Sequence, residues 1–177
     1  DLDGDGIEDH YDPDDDGDGF PDATENAYGS DPRDPNSVAN AAPTTLDLNG
    51  SNFLENQPAG TLVGNLSTSD PDSKAILSLS LLAGANQFSL DANGTLRTLH
   101  VLDFETNSSS YAISVRLTDE HNASLDGNFT IALLNQVEDL DGDGIEDHYD
   151  PDDDGDGFPD ATENAYGSDP RDPNSVA

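Results

Sequence analysis

Carboxylates recur at close, regular intervals near both ends of the chain, and their spacing is one that a hard cation requires. From Asp1 onward, acids occupy loop positions 1, 3, 5, 9 and 12: Asp1, Asp3, Asp5, Asp9 and Asp12. The series restarts with Asp14, Asp16, Asp18, Asp22 and Glu25, and only Pro13 intervenes. Each loop has glycine at its sixth position (Gly6, Gly19) and a hydrophobe at its seventh (Ile7, Phe20). Calcium takes about six to eight oxygens, which alternate residues of a tightly curved loop can aim inward. Glycine permits the sharp turn, and the backbone carbonyl of the seventh residue adds a ligand, so Ile7 and Phe20 enter as carbonyl donors. Magnesium resists dehydration and demands strict octahedral geometry, so it suits such a loop less well.

The 39 letters from Asp1 to Ala39 return unchanged from Asp139 to Ala177. The same offsets therefore predict Asp139, Asp141, Asp143, Ile145, Asp147 and Asp150 in a third loop. A fourth follows with Asp152, Asp154, Asp156, Phe158, Asp160 and Glu163. Identity over this length reads as a tandem array whose unit is one acidic block plus one middle segment. The opening residue, Asp1, fits a mature or internal segment of a longer chain. Without metal, five carboxylates in one loop repel each other and favour disorder; with metal, binding free energy becomes folding free energy.

The overall balance points the same way. The chain has 39 acidic side chains against 5 basic ones, a net charge of −34. No basic patch for nucleic acid can be assembled, and anionic membrane surfaces would repel the chain. No apolar run approaches the roughly 20 residues of a spanning helix. The absence of cysteine excludes disulfides, thiolate metal sites and thiol nucleophiles. The four histidines have no triad neighbours, the DGDG glycines are ringed by carboxylates that repel phosphate, and there is no tryptophan platform for a sugar. These features describe a non-catalytic chain.

The elements that must position the loops are of two kinds. Ala23 to Tyr28 can make one or two helical turns capped by Gly29. Asp31 and Asp34 could add ligands, while Pro32 and Pro35 beside them suit a stiff linker. Between the blocks, from Thr44 to Asn135, the pattern becomes alternation, as in Tyr111, Ile113, Val115, Leu117 and in Phe129, Ile131, Leu133. Seven strands are expected, over 44–48, 60–66, 76–82, 87–90, 94–98, 110–118 and 127–135. Seven short strands in ~100 residues is the rhythm of an immunoglobulin-like Greek-key sandwich.

Two resemblances sharpen this. DLDGDGIEDHYDPDDDGDGFPD is similar to the thrombospondin type 3 repeat, an aspartate-rich calcium-binding segment of secreted proteins, and ATENAYGSDPRDPNS resembles the helix and turn that close its bacterial versions. Paired dockerin loops are separated by a helix, whereas these abut. Leu54-Glu55-Asn56, Ser69-Asp70-Pro71-Asp72, FSLDANGTL and Leu102-Asp103-Phe104-Glu105-Thr106 resemble cadherin-like domains over nearly all of 43–138. The resemblance implies that Glu55, Asp103 and Glu105 gather at one pole with oxygens from the following linker, Glu138 and Asp139, although Val137 departs from the family's asparagine. At the other pole Asp70 and Asp72 face a linker, Val38 to Pro43, that has lost most of its ligands, with Asp34 or Asn36 as substitutes. The fold expected is thus mainly β: a seven-stranded immunoglobulin/cadherin-like sandwich (40–138) flanked by two metal-bound, loop-rich acidic repeats (1–39 and 139–177).

Six Asn-x-Ser/Thr sequons, at Asn49, Asn65, Asn93, Asn107, Asn122 and Asn128, allow glycosylation. The function expected is an extracellular or cell-surface structural protein, rigidified by calcium as a stalk or filament subunit for adhesion or fibre assembly. Its partners would be calcium ions and neighbouring repeats or further copies of itself, with no nucleic acid and no membrane insertion in this segment. The alternative is an accessory module of a larger secreted enzyme or carbohydrate-binding protein.

Overall fold

The computed structural model describes residues 1–72 and 75–175; positions 73–74 and the last two residues of the second block lie outside them. The first block contains α1 (Asp22–Tyr28). The middle segment forms β1 (Thr45–Asn49), β2 (Asn52–Leu54), β3 (Leu62–Ser69), β4 (Ser78–Ala83), β5 (Phe88–Leu90), β6 (Thr95–Thr98), β7 (Ser110–Thr118) and β8 (Ser124–Leu134). The second block contains α2 (Asp160–Tyr166). One sheet has the order β1-β3-β6-β5 and the other β2-β8-β7-β4. All pairings are antiparallel except β2 with β8.

The described strands number eight where seven were expected, because the first strand divides between sheets. β1 pairs with β3 in one sheet, and after Gly50 the chain crosses to the other and pairs β2 beside β8. The crossing needs close backbone approach: a Cβ on Gly50, whose φ is +92°, would lie 2.8 Å from the Val63 carbonyl. A strand of only Asn-Phe-Leu is too short for alternation to reveal it. β8 also starts earlier than its apolar pattern, since the register with β7 continues to Ser124 opposite Thr118.

The two sheets enclose one core, and alternation decides its members. On β7, Ile113, Val115 and Leu117 are each at most 2% exposed. They meet Leu46, Phe53, Val63, Leu66, Phe88, Leu96, Leu102, Ile131 and Leu133 from the remaining elements. Phe88 sits edge-to-face with Phe53 at 6.1 Å and with Tyr111 at 5.8 Å, the geometry favoured by ring quadrupoles.

The acidic blocks are built on another basis. Ala39 is the only described hydrophobic residue of either block among the buried apolar side chains. What the blocks bury instead is charge: Asp15, Asp16 and Glu25 in the first, and Asp153, Asp154 and Glu163 in the second. Outside the short helices the chain runs in bends and turns. Each helix stops at a left-handed glycine, with the Gly29 N–H donating to the Glu25 carbonyl at 2.7 Å. Hydrophobic burial holds the sandwich together and cannot account for the blocks.

Truncating Phe88, which is 1% exposed, to alanine is expected to destabilise the sandwich by about 3–5 kcal/mol, read from the denaturant midpoint. The blocks, which share no part of that core, should keep their calcium response.

Candidate metal centres

In the second loop the backbone sets the carboxylates in a repeated manner. Asp14 accepts the N–H groups of Gly17 (3.1 Å) on Oδ1 and Gly19 (3.1 Å) on Oδ2. Asp16 accepts from Asp18 at 3.2 Å, and Asp18 from Phe20 at 2.8 Å, each through Oδ1. One oxygen of Asp16 and of Asp18 is thereby tied to the loop's own backbone. The other, Oδ2, is buried and has no donor among the described residues. Glu25, at 0% exposure, leaves both carboxylate oxygens without a donor. The fourth loop repeats this with Asp154 Oδ2, Asp156 Oδ2 and both oxygens of Glu163, and differs in leaving Asp152 Oδ1 without a donor as well. Buried anions without a donor are costly unless a cation completes them.

Ligand oxygens of Asp14, Asp16 and Asp18 lie within 4.8 Å of one another, as do those of Asp152, Asp154 and Asp156, of Asp1, Asp3 and Asp5, and of Asp139, Asp141 and Asp143. An all-oxygen set with buried, unpaired members fits a hard divalent cation. The first and third loops are more open, and Asp1, Asp3 and Asp5 are exposed. Loops one and two touch where Asp3 reaches Gly17: a Cβ there would lie 2.7 Å from Asp3 Oδ2, so only glycine at loop position 4 lets the loops abut.

The later acids of each loop are placed differently. The ninth-position carboxylates close the loops. Asp22 accepts the Asp15 N–H at 2.9 Å, Asp160 that of Asp153 at 2.9 Å, and Asp147 that of Leu140 at 2.8 Å. Asp9 takes the Arg33 guanidinium. Asp12 and Asp150 accept the N–H groups of Asp14 and Asp152 at 3.0 and 2.9 Å, joining one loop to the next. None of these six lies in a three-acid cluster. Ile7, Phe20, Ile145 and Phe158 each donate their N–H to the fifth-position aspartate at 2.8 Å.

Two residues of each block escaped the sequence reading. Asp15 and Asp153, at the second loop position, are buried beside Arg33 and Arg171, at 3.5 Å in both cases. The same arginines also reach Asp9 and Asp147. The block's single basic residue is thus a clamp that folds its C-terminal turn back onto both loops. Its solitary charge among 14 acids was the available signal. Burial, then Asp160 and Asp147, push the Asp153 carboxyl up to about 6, and burial likewise raises Asp15, Asp16, Glu25, Asp154 and Glu163.

At the C-terminal pole of the sandwich, Glu55, Asp103 and Glu105 form a fifth three-acid cluster. Glu55 is 0% exposed and accepts the N–H groups of Phe104 at 2.5 Å and Gln136 at 2.7 Å, tying the end of β2 to both neighbouring loops. Asp103 accepts from Glu105 and Thr106, and Asn135 bridges Glu105 to Glu146 of the second block at 2.9 and 3.0 Å. Glu138 stands outside the cluster, held by the Asn56 amide at 2.6 Å, and Asp139 belongs to its own loop. A cleft of about 350 Å³ here is lined by Asp103, Glu105 and Glu138 on one side and Asp147, Asp153 and Arg171 on the other.

The N-terminal pole is joined directly. Ala41 N–H donates to Asp72 at 2.9 Å, and the Asn40 amide to Asp119 at 2.9 Å. Asp119, 5% exposed and also holding the His121 and Ala123 N–H groups, lay unnoticed at a strand end. One oxygen of Asp70 is buried without a donor among the described residues. Asp34 and Asn36 bond to each other within their own turn.

The cadherin domain model matches residues 51–134, and the bacterial TSP3 repeat model matches 14–35 and 152–173. TSP3-like repeats flank a cadherin domain. The chain is similar to protocadherin gamma B7 extracellular cadherin domains 1-4 (31% identity, 54% of this chain and 24% of that one, TM-score 0.46). It is also similar to protocadherin gamma C5 EC1-3 (30%, 54% and 33%, 0.42) and chicken VE-cadherin EC1-2 (24%, 47% and 45%, 0.42). It therefore spans less than half the length of each of these structures. No curated protein matches the chain. The TSP3 matches begin at the second loop of each block and end within the turn that carries the arginine clamp. Both module types are non-catalytic, structural and extracellular. No helix among the described residues is long and apolar enough to cross a membrane.

Neutralising one anchored carboxylate, as in Asp18→Asn, is expected to weaken calcium binding on the order of 10-fold while leaving sandwich stability unchanged, since ligand charge sets affinity. Isothermal titration beside a denaturation curve reads both. A second expectation concerns pH. Burial lifts the folded Asp153 carboxyl to about 6, above the ordinary aspartate value of 3.8, so folding favours its protonated form. The metal-free second block should be most ordered below pH 3.8, lose order between 3.8 and about 6, and then level off. Amide exchange in chelator across that range measures it.

Proposed function

We propose that the acidic clusters bind calcium and that the chain is a calcium-rigidified extracellular rod, acting as a stalk or filament subunit in adhesion or fibre assembly. The carrying observation is the set of buried carboxylate oxygens without a donor in both blocks, at Asp16, Asp18, Glu25 and their copies Asp154, Asp156, Glu163. A bound divalent cation supplies the positive charge that offsets their mutual repulsion. The chain's own residues supply the frame: backbone N–H groups fix one oxygen of each ligand, Asp22 and Asp160 close their loops, and Arg33 and Arg171 fold the blocks shut. At ~1 mM calcium and an extracellular-module affinity of ~10⁻⁴ M, each site contributes on the order of 1.4 kcal/mol. Several sites in one block, which has almost no apolar core, decide whether that block is ordered.

The pole cluster of Glu55, Asp103 and Glu105 is proposed as a further calcium site joining the sandwich to the second block, with Glu138 beside it. The domain boundaries proposed are 1–39, 40–138 and 139–177. The six sequon asparagines are all exposed, so glycans at these positions would leave the core intact.

Small-angle scattering in millimolar calcium, repeated after chelation, tests the reading. A stiff, extended particle that becomes flexible on chelation is the expected result. Identical curves would sink it, and a calcium-dependent rise in mass would favour the filament over the stalk.

A further inference from the structure

The two acidic blocks are identical in sequence yet unequally covered, and the inequality falls on two separate faces. Three pairs of equivalent side chains are exposed alike: Leu2 and Leu140 at 48 and 49%, Ile7 and Ile145 at 41 and 42%, Tyr11 and Tyr149 at 74 and 71%. Tyr28 and Tyr166 differ, at 46 and 79%, and Phe20 is half-buried where Phe158 is exposed. With the same residues in the same local fold, the difference measures what lies against them. The first block faces the N-terminal pole of the sandwich. Its Phe20 ring meets the His121 ring edge-on at 6.3 Å, and Phe20, Thr24 and Tyr28 face Pro71, Asp72 and His121 across a crevice. Among the described residues, none lies at the equivalent place on the second block.

We infer that the open face of the second block, made by Phe158, Thr162 and Tyr166, is a docking surface for the N-terminal pole of a further copy of this sandwich following in the same chain. The inference rests on the repeat-rod reading above and specifies the joint between successive units. The other face of the block supports it. Glu146 and Asp147 of the second block bond to Asn135 and Glu138 at the C-terminal pole, whereas Glu8 and Asp9 of the first block have no sandwich against them. The Asp147 side chain is 7% exposed and Asp9 is 24% exposed. Each block thus carries two sandwich-binding faces, and the chain leaves one of each unused. The two spare faces are the halves of joints the chain already contains.

Such a heterologous contact propagates along a line and does not close. A sandwich in a separate molecule already holds its own tethered block, so an incoming block of identical sequence competes against an intramolecular contact. A sandwich joined directly after the second block meets no such competitor, which selects the in-chain copy as the occupant.

The chain has no tryptophan, so single substitutions report cleanly. Phe158→Trp and Tyr166→Trp are placed separately in the 177-residue chain and in a chain extended by another copy of residues 40–177, with Phe20→Trp and Tyr28→Trp as references, all in calcium. Extension is expected to shift each second-block emission to the blue, onto its first-block reference, and to reduce quenching by acrylamide. His121→Ala in the added sandwich should reverse the shift with unchanged circular dichroism. Emission from both reporters that stays put on extension overturns the inference. A blue shift that grows with concentration in the unextended chain also overturns it, by assigning the face to a separate molecule. Failure of the calcium-rod reading would show separately, as scattering curves insensitive to chelation while the tryptophan shift persists.

Discussion

Mutual repulsion among carboxylates is the constraint on which the rest of this protein depends. Each 39-residue block carries 14 acids and one arginine, and its interior is made of Asp15, Asp16 and Glu25 where an ordinary domain would place leucines. The backbone answers part of that cost by turning N–H groups onto one oxygen of each loop carboxylate, and the single arginine answers another part by bridging both loops. What remains is a row of buried oxygens with no donor among the described residues. On the reading proposed above, a cation supplies the missing charge, and the block's order depends on it in a way that the sandwich's does not.

The sandwich supplies the unconditional part. Its core is closed by alternating side chains from two sheets, with Phe88 between Phe53 and Tyr111 at its centre. Its poles differ in how they meet the blocks. At the C-terminal end, three acids and a cleft stand between sandwich and block, with Asn135 as a direct bridge. At the N-terminal end, Asn40 and Ala41 bond straight onto Asp119 and Asp72, and an aromatic contact sits beside them. One joint is arranged around negative charge and the other around hydrogen bonds and rings.

Much of this was legible in the letters, and the reasons are local. Loop spacing depends on residues two apart, strands on alternation, and the block helix on a short run ended by glycine. The cadherin and TSP3 character was readable because those motifs are themselves short. The division of the first strand was not, since three residues carry no period and the crossing is set by how closely Gly50 approaches Val63. The ninth-position aspartates show the same limit. Spacing places them in a ligand series, and only the folded chain shows Asp22 and Asp160 accepting the N–H that closes the loop.

The sequence by itself determined the chemistry: acids at metal-binding intervals, an apolar alternating segment between them, and an identical block at either end. It could do so because those properties follow from residue type and near-neighbour spacing. The tertiary structure decided partnership. It brought Arg33 onto Asp9 and Asp15 from across the block, set Glu55, just after β2, beside Asp103 in the loop before β7, placed Asp119 over the incoming linker, and covered one face of the first block while leaving its copy bare. Each of these joins residues far apart in the chain, and such contacts are fixed by packing and topology, which no local spacing encodes.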